Sequence, residues 1–202
     1  MRYQHIEGVK VKANFSEDLR YRYRLEITLQ SAPASEKTAC VVMMNPSYAN
    51  EEVADKSVQF MEKVVFQKHL PEFAGVKKLI VVNQFAFIQT NAFEGLEHEI
   101  GPENNAAIKW AIKKSDIIIL GWGVANRFEA RKNFVLGLLR KLKHKKLFKT
   151  KKHPSRAGFD GFIQPFNFSD DVGAKSEPNK MPVALKNFCV SRRAVPAKFP
   201  RP

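Results

Sequence analysis

Three short runs constrain the fold of this chain more than anything else in it: TACVVMM at 38–44, KLIVVNQFAF at 78–87 and DIIILGW at 116–122 are almost wholly apolar. Strands that carry apolar residues at successive positions are covered on both faces, as in the parallel sheets of α/β proteins. The segments between these runs have helical spacing. Val53, Val58, Met61, Val64 and Val65 mark out a helix over 51–66, with acids near its start where the helix dipole favours them. A second helix opens at Gly101-Pro102-Glu103 and runs through Ala106, Ile108, Trp110, Ala111 and Ile112 to 114. A third, over 125–142, turns Phe128, Phe134, Val135, Leu138, Leu139 and Leu142 inward and Lys and Arg outward. Residues 19–29 (LRYRYRLEITL) alternate like a half-buried strand with one basic face, and 145–151 reads as a short strand. The expected fold is α/β, a three-layer sandwich with a mainly parallel central sheet, whose ligands bind at the carboxyl ends of the strands.

The 202 residues suit one domain, expected over 1–168, followed by a basic, Pro-rich tail over 169–202 that is extended and partly disordered. No apolar run is long enough for a membrane span, and the first residues, MRYQHIEGVKVK, lack the apolar centre of a signal peptide. Cys40 and Cys189 lie far apart and belong to no Cys/His cluster. Neither a disulfide framework nor a zinc site is expected, and a reducing cytoplasm is the expected compartment. No metal or other cofactor is expected.

Charge divides the chain. Residues 1–101 hold 12 Lys and Arg against 13 Asp and Glu, whereas 102–202 hold 22 against 7. Within the second half, 127–156 contains 12 basic residues and a single acid, Glu129. A field this concentrated attracts polyanions, of which nucleic acid is the commonest soluble kind, although a basic face can also serve solubility alone. Arg127, Arg131, Lys132, Lys141, Lys145, Lys149, Lys151, Lys152 and Arg156 are the expected nucleic-acid contacts.

The topology brings four loops to one sheet edge: Asn45-Pro46-Ser47-Tyr48, Asn83-Gln84-Phe85, Gly121-Trp122-Gly123 and His153-Pro154-Ser155-Arg156. The Asn45 amide can hold a water or a ligand edge, or simply form a turn before proline. His153 sits among Lys151, Lys152 and Arg156, whose charges favour its neutral form, and a neutral imidazole donates one hydrogen bond. Asn83 interrupts an apolar strand, so its amide needs a partner in the backbone or in a ligand. Phe85 and Trp122 offer faces for a planar ligand, or serve as core. The chain has no GxxxxGK[ST], GxGxxG, HExxH or GxSxG motif, which removes the phosphate-loop, dinucleotide, zincin and serine-elbow readings.

The blocks MNPS, VNQFAF, GPENN and GWG resemble an uncharacterised bacterial and phage family of unknown function, over about 20–125. More remotely, their order resembles the uracil-DNA glycosylase superfamily. That resemblance implies Asn45 and His153 as catalytic, the first holding water and the second touching the leaving base. It implies Pro46, Asn83 and Ser155 around the base, with Asn83 as its reader, Tyr48 or Phe60 as the floor of the pocket, and DNA as partner; Ser47, Phe85 and Trp122 are the further substrate contacts expected from the loops themselves. Met43 or Met44 stands where the family has glycine, and HPSR replaces its HPSP. Three functions stay open: a glycosylase acting on a flipped base, a nucleic-acid-binding module without catalysis, and an enzyme of free nucleosides or nucleotides.

Overall fold

The three apolar runs become adjacent parallel strands at the centre of a mixed sheet. The structure is a computed structural model describing residues 3–31, 36–123, 127–142 and 145–168. In chain order the elements are β1 (Tyr3–Gln4), β2 (Val9–Phe15), β3 (Arg22–Leu29), β4 (Lys37–Met43), β5 (Val53–Ala54), α1 (Lys56–Glu62), β6 (Val76–Asn83), α2 (Glu97–Ile100), α3 (Asn104–Lys114), β7 (Ile117–Leu120), α4 (Glu129–Arg140), β8 (Lys146–Thr150) and β9 (Ile163–Pro165). Seven of the strands form one sheet in the order β2-β3-β6-β4-β7-β8-β9. The central pairs β6/β4, β4/β7 and β7/β8 are parallel, while β2/β3, β3/β6 and β8/β9 are antiparallel.

The sheet is therefore mixed, and the expected mainly parallel arrangement holds only at its centre. The correction comes from β3, an expected strand that runs antiparallel to β6, and from β2 and β9, strands outside the expected set. The alternating VKVKANF of β2 pairs as an edge strand with lysines on its exposed face, a pattern that discourages further strand addition. The expected tail, 169–202, lies outside the described residues, and the compact unit that contains the sheet spans Met1–Asn167.

Residues 39–43 of β4, 79–83 of β6 and all of β7 are buried in unbroken runs, so both faces of the sheet are covered there. Val41, Met43, Leu79, Val81, Ile117 and Ile119 pack with Val58, Met61, Val64 and Val65 of the α1 region. The helix expected over 51–66 starts later, because Val53 and Ala54 pair with Gln4 and Tyr3. Asp55 then caps α1, and a π-helical turn, Lys63–Gln67, extends it. The strand expected over 78–87 ends at Asn83. Beyond it, Gln84, Phe85 and Gln89 donate from their backbone N–H groups to the carbonyls of Met43, Met44 and Pro46 at 2.9, 3.0 and 3.1 Å. The loop after β4 is thus knitted to the segment after β6.

Among the central strands β4 comes first, with β6 on one side and β7 on the other. The chain reverses its direction of winding there, and open α/β sheets bind ligands at such a point, outside the carboxyl ends of the strands.

Candidate active site

A cleft of about 270 Å³ lies at that edge, lined by Met43, Asn45, Ser47, Tyr48, Asp55, Lys56, Ser57, Gln89, Thr90, His153 and Ser155. Asn45, Ser47 and Tyr48 come from the loop after β4, and His153 and Ser155 from the loop after β8. Four separated stretches of chain, around residues 45, 55, 90 and 153, meet in it.

The Asn45 side chain is fixed by its own nitrogen. Nδ2 donates to the Gln89 carbonyl at 2.7 Å and to the Pro46 carbonyl at 3.4 Å. Oδ1 is left as an acceptor, neither bonded to the described residues nor sealed from solvent. Pro46 itself is buried beneath the loop. Farther along, the Ala49 carbonyl accepts from Arg22 Nη1 at 2.9 Å, and the Asn50 carbonyl lies 2.9 Å from His5 Nε2. Ser47 Oγ and Thr90 Oγ1 are 3.2 Å apart across the cleft wall, and Tyr48 is exposed at its rim.

His153 ends up in one tautomer. The Ser155 N–H donates to Nδ1 at 3.3 Å and Ser155 Oγ stands 2.9 Å from the same atom, so Nδ1 is an acceptor. In the neutral ring the proton is then on Nε2, which has no partner among the described residues and is not sealed from solvent. Burial lowers the pKa of this imidazole; the Asp55 charge pulls it back up and the Arg156 charge pushes it down. The net fall keeps the ring neutral near pH 7. Gly123 explains how the loop gets so close: its φ is +76°, and a Cβ there would stand 2.9 Å from the His153 nitrogen.

Among the described residues, Asp55 is the only carboxylate lining the cleft. Its Oδ1 accepts from the Val58 N–H at 2.9 Å and so caps α1. Its Oδ2 has no partner among the described residues and is not sealed from solvent, although the residue as a whole is only 7% exposed. The sequence reading missed it by placing it inside the helix, where its acidity was credited to the helix dipole. Asp directly before KSVQF is an N-cap signal, and it was available.

Four expected ligand contacts, the buried Pro46 and three others, are not among the residues that line the cleft. Asn83 is buried, its Oδ1 accepting from Arg22 Nη2 at 3.1 Å and its carbonyl from Asn104 Nδ2 at 3.1 Å. Phe85 is buried edge-on to Phe93 and Phe128, with centroids 5.1 and 5.0 Å away. Trp122 is buried at the end of β7. Arg22, on the basic face expected for the 19–29 strand, is wholly buried, its guanidinium enclosed between the Ala49 carbonyl of the loop after β4 and Asn83 at the end of β6. Burial lowers its guanidinium pKa to about 10, with the Asp55 charge acting in the opposite direction.

The basic residues also divide. Arg131 is buried, donating from Nε to the Gln84 carbonyl at 2.9 Å and from Nη1 to Asn105 Oδ1 at 2.8 Å. Lys145 donates to the Lys113 and Ser115 carbonyls and so caps the end of α3. Both were expected to grip nucleic acid, and both are bound within the fold. Lys149 is half-buried on β8, Lys132 is half-buried on α4, Lys141 is exposed just beyond α4, and Arg127 lies 4.8 Å over the Phe128 ring. Lys151, Lys152 and Arg156 are exposed on the loop that carries His153. The two lysines also line a second cleft of about 170 Å³, together with Phe159 and Asp160.

Among the described residues, no group of three or more His, Cys, Asp or Glu side chains could hold a metal ion. None of the described helices is long and apolar enough to cross a membrane. Burial pushes the Cys40 thiol up to about 12, which removes it as a nucleophile.

Fold and cleft together define a mixed α/β protein with a polar crevice at the carboxyl edge of its parallel strands. Within that class the chain belongs to the DUF1643 family, described as a protein of unknown function, whose model matches residues 22–156. No curated protein and no solved structure matches it.

Proposed function

We propose that this protein hydrolyses the N-glycosidic bond of a nucleobase in nucleic acid, on a three-layer fold of the uracil-DNA glycosylase kind. One observation carries the reading: Asn45, with an open acceptor oxygen, and His153, with an open Nε2–H, line the same cleft. At about 270 Å³ the cleft is small for a ligand site and suits a single base with part of its sugar.

In the proposed reaction the base leaves the stack, at a cost of a few kcal/mol, and enters the cleft beside Tyr48. Negative charge develops on the base as the bond to C1′ stretches, and the His153 Nε2–H is the donor that meets it. Asn45 Oδ1 accepts a hydrogen bond from the incoming water. With Asn83 held by Arg22, reading of the base edge passes to Ser47, Gln89 and Thr90. Lys56, Lys151, Lys152 and Arg156 lie at or beside the cleft and would hold the phosphates, which makes binding strongly salt-dependent. DNA is the expected partner.

The test is alkaline strand cleavage after incubation with a panel of oligonucleotides, single- and double-stranded, carrying uracil, mismatched or hypermodified bases. Abasic product from at least one of them, lost in Asn45→Ala, is the expected result. No abasic product from any of them rejects the reading. Salt-steep binding without base release would point to a binding module, and release from free nucleosides alone to a nucleoside hydrolase.

A further inference from the structure

An amide cannot take a proton from water, so Asn45 holds the nucleophile without activating it. The cleft nevertheless contains a group that can. We infer that Asp55 is the general base of this site, with Asn45 as its positioning partner; the inference rests on the hydrolytic reading above. Among the described residues Asp55 is the single carboxylate of the lining; its Oδ1 is tied to the Val58 N–H, and its Oδ2 is the carboxylate oxygen left open. The cap on α1 fixes the carboxylate plane, so the open oxygen is oriented before any ligand arrives. His153 and Arg22 both feel the charge of Asp55, which puts the base and the leaving-group donor in one electrostatic neighbourhood.

The step balances. Asp55 Oδ2 takes one proton from water as the water oxygen bonds to C1′. The C1′–N bond breaks, its electron pair stays on the base nitrogen, and that charge is stabilised by the His153 Nε2–H. The proton on Asp55 then passes to solvent or to the departed base, which returns the site to its starting state. A carboxylate in general-base catalysis contributes roughly 10²- to 10⁴-fold.

Asp55→Asn separates the two roles, because asparagine caps a helix as well as aspartate does. The full-length variant should keep the wild-type melting temperature and substrate affinity, lose about 10²-fold or more in kcat on the substrate found in the oligonucleotide panel, and lose the low-pH limb of the kcat profile. NMR titration of His153 should show its pKa falling further in the variant, since an opposing negative charge has gone. Wild-type kcat in Asp55→Asn, or an unmoved His153 titration, overturns the assignment of Asp55 and leaves the glycosylase reading intact. Absence of base release by the wild-type protein overturns both.

Discussion

The cleft and the buried cluster around Asn83 contain the same kinds of side chain used in opposite ways. In the cluster, Arg22, Asn83, Gln84, Asn104 and Arg131 are nearly inaccessible; Arg22 bonds Asn83, and Asn104 and Arg131 bond backbone carbonyls, while one further polar atom of each of the five is buried without a partner among the described residues. In the cleft, Asn45, Asp55 and His153 each use one polar atom to fix the side chain and leave another open. Both regions keep polar atoms without a partner among the described residues, but those of the cluster are sealed from solvent whereas those of the cleft are open to it. The cluster should therefore report on stability and the cleft on turnover.

The sharpest test of that division is His153→Ala, which should lower kcat about 10²- to 10⁴-fold and leave the melting temperature close to wild type. Arg22→Met should do the reverse. It strands the Asn83 Oδ1 and the Ala49 carbonyl, each costing about 1–3 kcal/mol if left unpaired, and calorimetry should show a melting point lower by roughly 2–4 °C per kcal/mol. Because Ala49 belongs to the loop that starts at Asn45, a fall in KM-corrected activity of the folded variant beyond a few-fold would mean that the two regions are coupled.

A smaller effect is expected at His5, whose Nδ1 lies 2.5 Å from Glu62 Oε1 while Nε2 faces the Asn50 carbonyl. Both ring nitrogens meet acceptors, so the bonded form is the imidazolium. Burial pulls its pKa down, but the Glu62 hydrogen bond, the Asn50 carbonyl and the Glu62 charge outweigh it and leave the pKa above the usual 6.5. This contribution to stability is complete below about pH 6.5 and is lost as pH rises through the elevated folded value. Thermal melts between pH 6 and 9 should slope downward in wild type and flatten in His5→Gln.

The smallest effect separates the lysines. Lys145→Met should cost about 0.3–1 kcal/mol through the end of α3 and leave the salt dependence of nucleic-acid binding unchanged. Lys151→Met and Lys152→Met should each reduce the slope of log Kobs against log salt by about one.

The parts of this picture that were legible in the sequence are those with a local cause. Apolar runs gave the central strands, and Asn45-Pro46 and His153-Pro154 stood out as loops because proline marks them. The failures share a non-local cause. Nothing near Asn83 says that Arg22, far away on another strand, will occupy its amide. The alternation of 19–29 marks the strand but not the loop after β4, whose Ala49 carbonyl meets the Arg22 guanidinium from far along the chain. Lys145 and Arg131 counted toward a basic surface in one dimension, while in three their charges are spent on carbonyls at the ends of α3 and β6. The lysine alternation of β2 was plain and simply unread.

The backbone ladder that joins the 43–46 loop to residues 84–89 has a mechanical meaning. Asn45 is mounted on what is effectively a continuation of the sheet, so the wall of the crevice that carries it is braced by backbone hydrogen bonds. On the proposed reading, a substrate would have to bring its reactive bond to a fixed anvil, and the work of bending, unstacking or turning would fall on the guest.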